Sequence, residues 1–287
     1  MLGALASGPA LLHVEFFSGE AAITRAMREA CRQAASFDVR DEPVFQNMLT
    51  SEGFVLAMLL VLRLVPGAGM LAAPVCSTWV WLNRGTSLRS SGRRLGDTLR
   101  QQVRDANCMV ARVVLLAILT TCRGLVWIIE QPANSLLEKH PRFQLLLSRM
   151  PVYRITTYMQ AFGGPSLKPT WLYSNSPLID ELARKPSGER SATRVEMVKA
   201  CGRGESTGRI KYTGGDDLKE SQTYPREFGL ALVEWYTRHR AHFEQRAKDI
   251  VQVSNTAATI PCNDPLDSAD DARLGAVLEY AKAMLQP

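Results

Sequence analysis

One cysteine of the sequence is followed by several basic residues and could act as a nucleophile. Cys76 follows the apolar stretch Met70 to Ala73 and Pro74-Val75, and it opens a loop rich in arginine. The arginines of this loop are Arg84, Arg89, Arg93 and Arg94. A thiol beside guanidinium groups has a lowered pKa and a larger thiolate fraction, which favours nucleophilic attack. The alternative is an inert, half-buried cysteine, which is the commoner fate of a lone cysteine.

An acidic residue at the end of another apolar stretch could hold a proton for a bound ligand. Glu130 follows Leu125 to Ile129, a predicted buried strand, and Gln131-Pro132 come next. Burial raises the pKa of a carboxyl group, and a protonated glutamate could donate a hydrogen bond to a ring nitrogen. The alternative for this position is a glutamate that caps a helix or forms a salt bridge.

A glycine after the first predicted strand could bring the backbone close to a cofactor. Gly19 lies in the stretch Glu15 to Glu20, directly after a short apolar run, where a tight turn leads into a helix. Asp38 stands 19 positions later, where its carboxylate could accept the hydroxyls of an adenosine ribose. Ala21 and Thr24 replace further glycines of the dinucleotide fingerprint, so a cofactor without a pyrophosphate is favoured over NAD. The alternative is a plain tight turn followed by a surface aspartate.

Short apolar stretches alternate with predicted helices, which indicates an α/β fold with a mostly parallel central sheet and helices on both faces. The predicted strands are 11–17, 34–39, 70–73, 125–129, 153–158 and 170–173. The main predicted helices are 21–34, 51–64, 97–121 and 224–246, with short helices between 134 and 150. Right-handed crossovers place the carboxyl ends of parallel strands along one edge. We therefore expect Gly19, Asp38, Cys76 and Glu130 to form one composite site at that edge.

The composition of the chain is that of a soluble globular protein. Its 287 residues are 46% hydrophobic and 22% charged, and its net charge of +6 suits an anionic partner. The six cysteines contain no Cys-x-x-Cys pair and the four histidines show no metal-ligand spacing, so no metal site is predicted. The longest apolar stretch, Phe54 to Val75, is interrupted by Arg63 and Pro66, and no signal peptide is recognised. These features predict an intracellular protein, nuclear or cytoplasmic, without a membrane-spanning segment.

The domain organisation predicted from composition is one large domain with a small appendage. Residues 1–246 form the main domain, in which 174–222 are a polar, basic insertion or mobile segment. Residues 247–267 are a predicted linker, and 268–287 are a predicted C-terminal amphipathic helix.

Several short motifs resemble, in the same order, those of the cytosine carbon-5 DNA methyltransferases. The resemblance covers roughly residues 12–175 and resumes at Thr223 to Ala231. The motifs that carry it are Phe16-Phe17-Ser18-Gly19, Asp38, Pro74-Val75-Cys76, Glu130-Gln131-Pro132 and Phe162-Gly163-Gly164-Pro165-Ser166-Leu167-Lys168. No single motif is decisive, and their common order is what favours the family.

The resemblance implies a Rossmann-like methyltransferase fold, S-adenosylmethionine as cofactor and DNA as partner. By position, Cys76 would attack carbon 6 of a flipped cytosine, Glu130 would contact the base, and Lys168 would stand at a further catalytic position. The residues that would line the cofactor are Phe17, Ser18, Gly19, Asp38 and Pro74. The residues that would contact phosphates beside the flipped base are Arg84, Arg89, Arg93 and Arg94.

The sequence also departs from the pattern of that family at several positions. Pro74-Val75-Cys76 replaces Pro-Pro-Cys, and Glu130-Gln131-Pro132 replaces Glu-Asn-Val. Ser166-Leu167-Lys168 replaces Gln-x-Arg, so a single ammonium group stands where the family has a planar guanidinium. Residues 174–222 are short for an independent sequence-reading domain. Two alternatives therefore remain: a non-catalytic binding protein with this fold, and a methyltransferase that acts on RNA or a small molecule.

Overall fold

The computed structural model describes residues 10–186, 198–203, 210–214 and 223–258. The strands of the described ranges are β1 (Leu11–Phe16), β2 (Ala34–Phe37), β3 (Leu64–Ala72), β4 (Val126–Pro132), β5 (Tyr153–Tyr158), β6 (Pro169–Ser174), β7 (Val198–Arg203) and β8 (Ile210–Gly214). The α-helices are α1 (Ala22–Glu29), α2 (Ser51–Leu62), α3 (Arg84–Ser87), α4 (Gln101–Cys122), α5 (Pro141–Arg149) and α6 (Arg226–Ala258). Short 3-10 helices are formed by Trp81–Asn83, Leu136–Lys139, Met159–Phe162 and Pro177–Leu182.

Six strands form one mixed sheet in the order β2-β1-β3-β4-β6-β5. The pairs β1–β2, β1–β3 and β3–β4 are parallel, whereas β6 is antiparallel to both β4 and β5. The prediction of an α/β fold with a mostly parallel sheet is confirmed. The chain passes from β1 to β2 on one side and then returns to β3 on the other side of β1. The crevice between the carboxyl ends of β1 and β3 is therefore a topological switch point, where ligands of such sheets bind.

Apolar side chains fill both faces of the sheet because successive residues of a strand point to opposite sides. On one face, Met70 and Trp127 belong to a cluster that α2, α4 and α5 cover. On the other face, Leu71 and Ile128 belong to a cluster that α1 and α6 cover. The prediction of helices on both faces is confirmed.

The long helix α6 crosses one face of the sheet from its carboxyl edge to its amino edge. Near its start, Gly229 packs against Ala26 of α1, where a β-carbon on the glycine would lie 2.9 Å from the methyl group of Ala26. Further along, Ala247 lies against Gly124, which precedes β4 and has a φ angle of +70°. A β-carbon at Gly124 would lie 2.5 Å from the α-carbon of Ala247, so only glycine fits this contact.

Two predicted boundaries differ from the structure in informative ways. The strand β3 begins at Leu64 rather than at residue 70 as predicted, so that Pro66 and Gly67 lie inside it, where the pairing with β1 shifts register between Leu11 and His13. A proline is tolerated in a strand at such an irregularity because its missing N–H interrupts no regular ladder there. The helix α2 begins at Ser51, as predicted, and ends at Leu62 rather than at residue 64. Its N-cap is Thr50, whose hydroxyl accepts a hydrogen bond from the Gly53 N–H.

The described parts of the predicted insertion and of the predicted linker contain regular secondary structure. The predicted insertion 174–222 begins inside the core, because Ile179 and Leu182 of the 3-10 helix Pro177–Leu182 are buried. β7 and β8 pair as an antiparallel hairpin within that range. The first part of the predicted linker 247–267 is helical, since α6 continues to Ala258. The predicted C-terminal helix, 268–287, lies outside the described residues.

By length and composition alone, α4 is apolar enough to cross a membrane, and it is the only such helix in the described ranges. In the fold it packs against the sheet, with Val110, Val114 and Ala117 buried in the core cluster.

Candidate functional site

The turn after β1 adopts an unusual backbone conformation. Phe17, Gly19 and Ala21 have φ angles of 58°, 57° and 50°, which place all three residues in the left-handed region. A bulky residue with positive φ is an outlier that persists only where its surroundings fix it, and such strain is concentrated at functional sites. The Phe17 N–H donates to the Phe37 carbonyl at 2.8 Å, so β2 holds the strained turn in place.

Asp38 organises this turn from the end of β2. Its Oδ2 accepts a hydrogen bond from the Gly19 N–H at 2.8 Å. Its Oδ1 accepts from the Arg40 N–H at 3.0 Å and from Arg40 Nε at 3.3 Å. A carboxylate offers about four lone-pair positions, so three internal donors leave capacity for about one more. Asp38 is thus next to the turn, as predicted, but the protein itself already uses most of its acceptors.

Glu15 is a buried carboxyl group that was not singled out from the sequence. Its Oε2 accepts hydrogen bonds from the Thr24 N–H at 2.8 Å and from the Thr24 hydroxyl at 2.7 Å. Burial raises the pKa of Glu15, and the bonds from Thr24 oppose that rise. The carboxyl group therefore occupies the N-terminus of α1, which would otherwise attract an external anion.

Two buried oxygens beside this turn lack a hydrogen-bond partner among the described residues. They are Glu15 Oε1 and the hydroxyl oxygen of Ser18. Unpaired buried polar atoms are costly, and a bound ligand is one way to satisfy them.

The backbone that carries Cys76 is fixed from the neighbouring strand. The side-chain amide of Gln131 donates to the Pro74 carbonyl at 2.7 Å, and its oxygen accepts from the Ser135 hydroxyl at 2.9 Å. The Cys76 carbonyl accepts from the N–H groups of Trp79, at 2.8 Å, and Val80, at 3.1 Å. Cys76 therefore begins a hydrogen-bonded turn just beyond β3, beside the end of β4.

Cys76, Glu130 and Lys168 come together at this edge of the sheet. The ammonium group of Lys168 lies 3.8 Å from Glu130 Oε1, and both side chains are largely buried. Electrostatic interactions with both Glu130 and Lys168 act on the Cys76 thiol. The backbone of Lys168 has a φ angle of 26°, which adds a strained residue to the site.

Tyr224 is a fourth member of this cluster, and its role was not anticipated. Burial and the negative charge of Glu130 raise the pKa of Tyr224 well above its usual value. Its ring centroid lies 5.6 Å from the ammonium nitrogen of Lys168, and the ring packs on Phe228 at a centroid distance of 5.3 Å. The sequence alone gives little indication of this contact, because Tyr224 and Lys168 are far apart in the chain and lie close together only in the folded structure.

The pKa of the Cys76 thiol is raised, whereas the sequence predicts that it is lowered. Burial and the negative charge of Glu130 raise its pKa to about 11, while Lys168 acts in the opposite direction. The expectation that loop arginines lower this pKa is therefore incorrect. The resting thiol is protonated at neutral pH, so a nucleophilic role requires that its proton be removed.

Arg89 is buried and satisfied by the protein itself. Its guanidinium donates to the Thr78 carbonyl and to the Asn107 side chain, at 3.0 and 2.9 Å, and stacks on Trp79 at 3.3 Å from the ring centroid. Arg89 is only 1% exposed, so it is not available to a phosphate in this structure. It instead fixes the loop that follows Cys76.

The other three arginines of that loop reach solvent to different extents. Arg84 is half-buried and stacks on the exposed ring of Trp81, with its guanidinium carbon 3.5 Å from the ring centroid. Arg93 and Arg94 are exposed, and Arg93 also pairs with Asp97. These side chains remain accessible to an anionic partner.

The charge of Glu130 gives a direct prediction for the thiol. In Glu130→Gln, the pKa of Cys76 should fall below about 11, because the charge that raises it is gone. The pH dependence of iodoacetamide modification, read at the Cys76 peptide by mass spectrometry, measures this change. Glu138→Gln is the matched control, since the Glu138 carboxylate accepts from Tyr173 and Arg154 instead. An unchanged or higher pKa of Cys76 in Glu130→Gln would contradict the assignment of Glu130 as a charge that raises the pKa of the thiol.

Within the described ranges, no three His, Cys, Asp or Glu side chains are grouped so that they could hold a metal ion. No protein-family model matches the chain, and no curated protein sequence is significantly similar to it.

Proposed function

We propose that this protein is an S-adenosylmethionine-dependent methyltransferase that acts on cytosine in DNA, with Cys76 as the nucleophile. The observation that carries the proposal is the clustering of Cys76, Glu130 and Lys168. The motif resemblance assigns these three residues to one reaction centre, although they are far apart in the chain. Their meeting at the carboxyl edge of a mostly parallel sheet supports that assignment.

The residues around the turn after β1 fit such a cofactor. The turn lies at the switch point between β1 and β3, with two unpaired buried oxygens, on Glu15 and Ser18, beside it. Glu15 occupies the helix N-terminus where a pyrophosphate would bind, which disfavours a dinucleotide and suits a cofactor with a positive sulfonium. Asp38 keeps acceptor capacity for a ribose hydroxyl. When bound, the cofactor supplies an electrophilic methyl group.

The side chains of the cluster divide the reaction between them. The Cys76 thiol gives its proton to the carboxylate of Glu130, and the sulfur then adds to carbon 6 of the base. The carbon 5–carbon 6 double bond opens, which makes carbon 5 electron-rich. After carbon 5 has taken the methyl group, it loses its proton and the bond from sulfur to carbon 6 breaks, which restores the ring and the Cys76 thiolate. Glu130, in its protonated form, donates a hydrogen bond to the ring nitrogen. A proton on Glu130 also removes the charge that raises the pKa of the thiol, so a neutral Glu130 and a Cys76 thiolate favour each other. Lys168 stabilises the thiolate electrostatically.

The surface beside the cluster suits a nucleic-acid backbone. Arg84, Arg93 and Arg94 lie on the loop that begins at Cys76, and Trp81 is 61% exposed. Guanidinium groups contact phosphates, and an exposed aromatic ring can stack on a base that has left the helix. A base must leave the helix before the half-buried Cys76 thiol can attack it, because carbon 6 is hidden in the base stack.

A covalent trap tests the proposal. Carbon 5 of 5-fluorocytosine cannot lose its substituent as a proton, so DNA containing it should remain bonded to Cys76 after methyl transfer. We expect an adduct resistant to denaturing electrophoresis only when S-adenosylmethionine is present, mapped to the Cys76 peptide. Ordinary cytosine DNA is the matched substrate control. No adduct across DNA of varied sequence would contradict the assignment of cytosine, and an adduct with RNA instead would move the substrate to RNA.

A binding protein that retains this fold is the second candidate. It is favoured by the protonated resting thiol and by the Asp38 carboxylate, most of whose acceptors the Gly19 and Arg40 donors already use. Calorimetric titration with S-adenosylmethionine separates the two candidates. Binding would support the methyltransferase, whereas its absence would favour the binding protein.

A further inference from the structure

The side chain of Arg40 lies over the turn that follows β1. Its guanidinium contacts two carboxylates: Nε donates to Asp38 Oδ1 at 3.3 Å, and Nη1 lies 3.6 Å from Glu20 Oε1. Its Nη2 lies 2.6 Å from the position that a β-carbon on Gly19 would occupy. The guanidinium therefore fills the space beside the α-carbon that a glycine leaves open. The Arg40 side chain is 60% exposed, so it can move without disturbing the core.

The Asp38 carboxylate has fewer free acceptor positions while Arg40 stands there. The Gly19 N–H takes one position on Oδ2, and the Arg40 N–H takes one on Oδ1. These two backbone donors belong to the turn and to the end of β2, and they stay in place when a side chain moves. The Nε of Arg40 takes a further position, which leaves about one of about four. If the side chain moves away, about two positions are free.

We infer that Arg40 is a specificity-determining residue of this turn, because its side chain competes with the ribose of a ligand for Asp38. The two neighbouring hydroxyls of a ribose need two acceptor positions, which they obtain only after the guanidinium has left. A 2′-deoxyribose has only one of these hydroxyls and binds beside the guanidinium. Ribose ligands therefore lose the contacts of Arg40, and deoxyribose ligands do not. The inference rests on the proposed function only for the identity of the ligand.

The ion pairs of Arg40 are weak enough for a ligand to displace them. Both the Arg40 and the Glu20 side chains are more than half exposed, and exposed ion pairs contribute little and are screened by salt. The Asp38 side chain is only 11% exposed, so its carboxylate stays at the turn when Arg40 leaves. Arg40 thus lowers the affinity for a ribose ligand by a small factor that depends on ionic strength.

Arg40→Ala tests the inference in a binding measurement that needs no catalysis. The probes are S-adenosylhomocysteine, which carries the same ribose as S-adenosylmethionine, and its 2′-deoxy analogue. In calorimetric titrations at low salt, Arg40→Ala should bind S-adenosylhomocysteine about 3- to 10-fold more tightly than the wild-type chain, the scale of two exposed ion pairs. The deoxy analogue should bind the two chains with affinities that agree within about 1.5-fold.

Two further variants keep the test specific. Arg100→Ala is the matched control, because Arg100 is 54% exposed and its Nε lies 3.1 Å from the largely buried carboxylate of Asp97, away from the turn. It should leave both affinities unchanged. Glu20→Gln removes one ion pair and retains Arg40, so it should give part of the gain even if Arg40→Ala does not fold. High salt should tighten the binding of S-adenosylhomocysteine to the wild-type chain but not to Arg40→Ala.

The outcomes separate this inference from the proposed function. Weaker binding of S-adenosylhomocysteine in Arg40→Ala, an equal gain for the deoxy analogue or the same gain in Arg100→Ala would overturn the role of Arg40. If the chain methylates DNA but Arg40→Ala and Glu20→Gln leave the affinity unchanged, the proposed function stands and the role of Arg40 fails. If the expected differences appear but no nucleic acid is methylated, the proposed function fails and the role of Arg40 stands. Absence of binding to every chain would contradict both.

Discussion

Methyl transfer to DNA should fall by at least about 10⁴-fold when Cys76 is replaced by alanine, because no other group in the cluster can form the bond to carbon 6. Cofactor affinity should stay unchanged, since the turn after β1 and Asp38 do not depend on the thiol. Transfer of a radiolabelled methyl group from S-adenosylmethionine to DNA measures the rate, and calorimetry measures the affinity.

Two further cysteines provide the controls for this experiment. Cys31 is exposed and Cys108 is half-buried on α4. Alanine at either position should leave the rate of methyl transfer within about 2-fold of the original, since neither residue belongs to the cluster. A Cys76→Ala protein that keeps a tenth or more of the wild-type rate would contradict the nucleophilic role of Cys76.

The second large effect concerns stability rather than chemistry. Arg89→Ala should lower the free energy of unfolding by about 3–5 kcal/mol, because it leaves buried acceptors unpaired and a cavity beside Trp79. Urea unfolding, followed by tryptophan fluorescence and by circular dichroism, measures this change.

Arg94→Ala is the matched control for Arg89→Ala. Arg94 is exposed, and its carbonyl, which accepts from Arg89 at 3.1 Å, is unaffected by truncation of the side chain. We expect a change within about 0.5 kcal/mol for this exposed position. If the free energy of unfolding falls by less than about 1 kcal/mol in Arg89→Ala, the contacts of this guanidinium do not stabilise the loop as proposed.

The sheet and its functional edge could be predicted because local sequence determines them. The apolar runs that end at Phe17, Phe37 and Ile129 contain the strands β1 and β2 and most of β4, and a polar residue follows each run. The backbone then places the groups that follow β1, β2, β3 and β4 at one edge, whatever their side chains do. The strand β3 was predicted too short because Pro66 and Gly67 break the pattern of a regular strand, although the irregular pairing accommodates them.

The details of the site depended on tertiary contacts that local sequence does not encode. Four arginines follow Cys76 in sequence, but Arg89 is directed into the core and the thiol is affected most by burial and Glu130. Glu15 reads as part of an apolar strand, and only the fold shows that it caps α1. Tyr224 lies near Lys168 and interacts electrostatically with Glu130, because the chain returns to this edge of the sheet just before α6.

The segment formed by Tyr224 and α6 lies beside both ends of β4. Tyr224 interacts electrostatically with Glu130 near the carboxyl end of that strand, and Ala247 of α6 packs on Gly124 just before the amino end. The packing at the amino end of β4 and the position of Glu130 near its carboxyl end are therefore expected to depend on each other. A mutation that loosens the contact between Gly124 and Ala247 would reduce both the stability of the fold and the correct placement of Glu130, so selection would act against it for both reasons. A region far from the proposed reaction centre is thus expected to diverge as slowly as that centre itself.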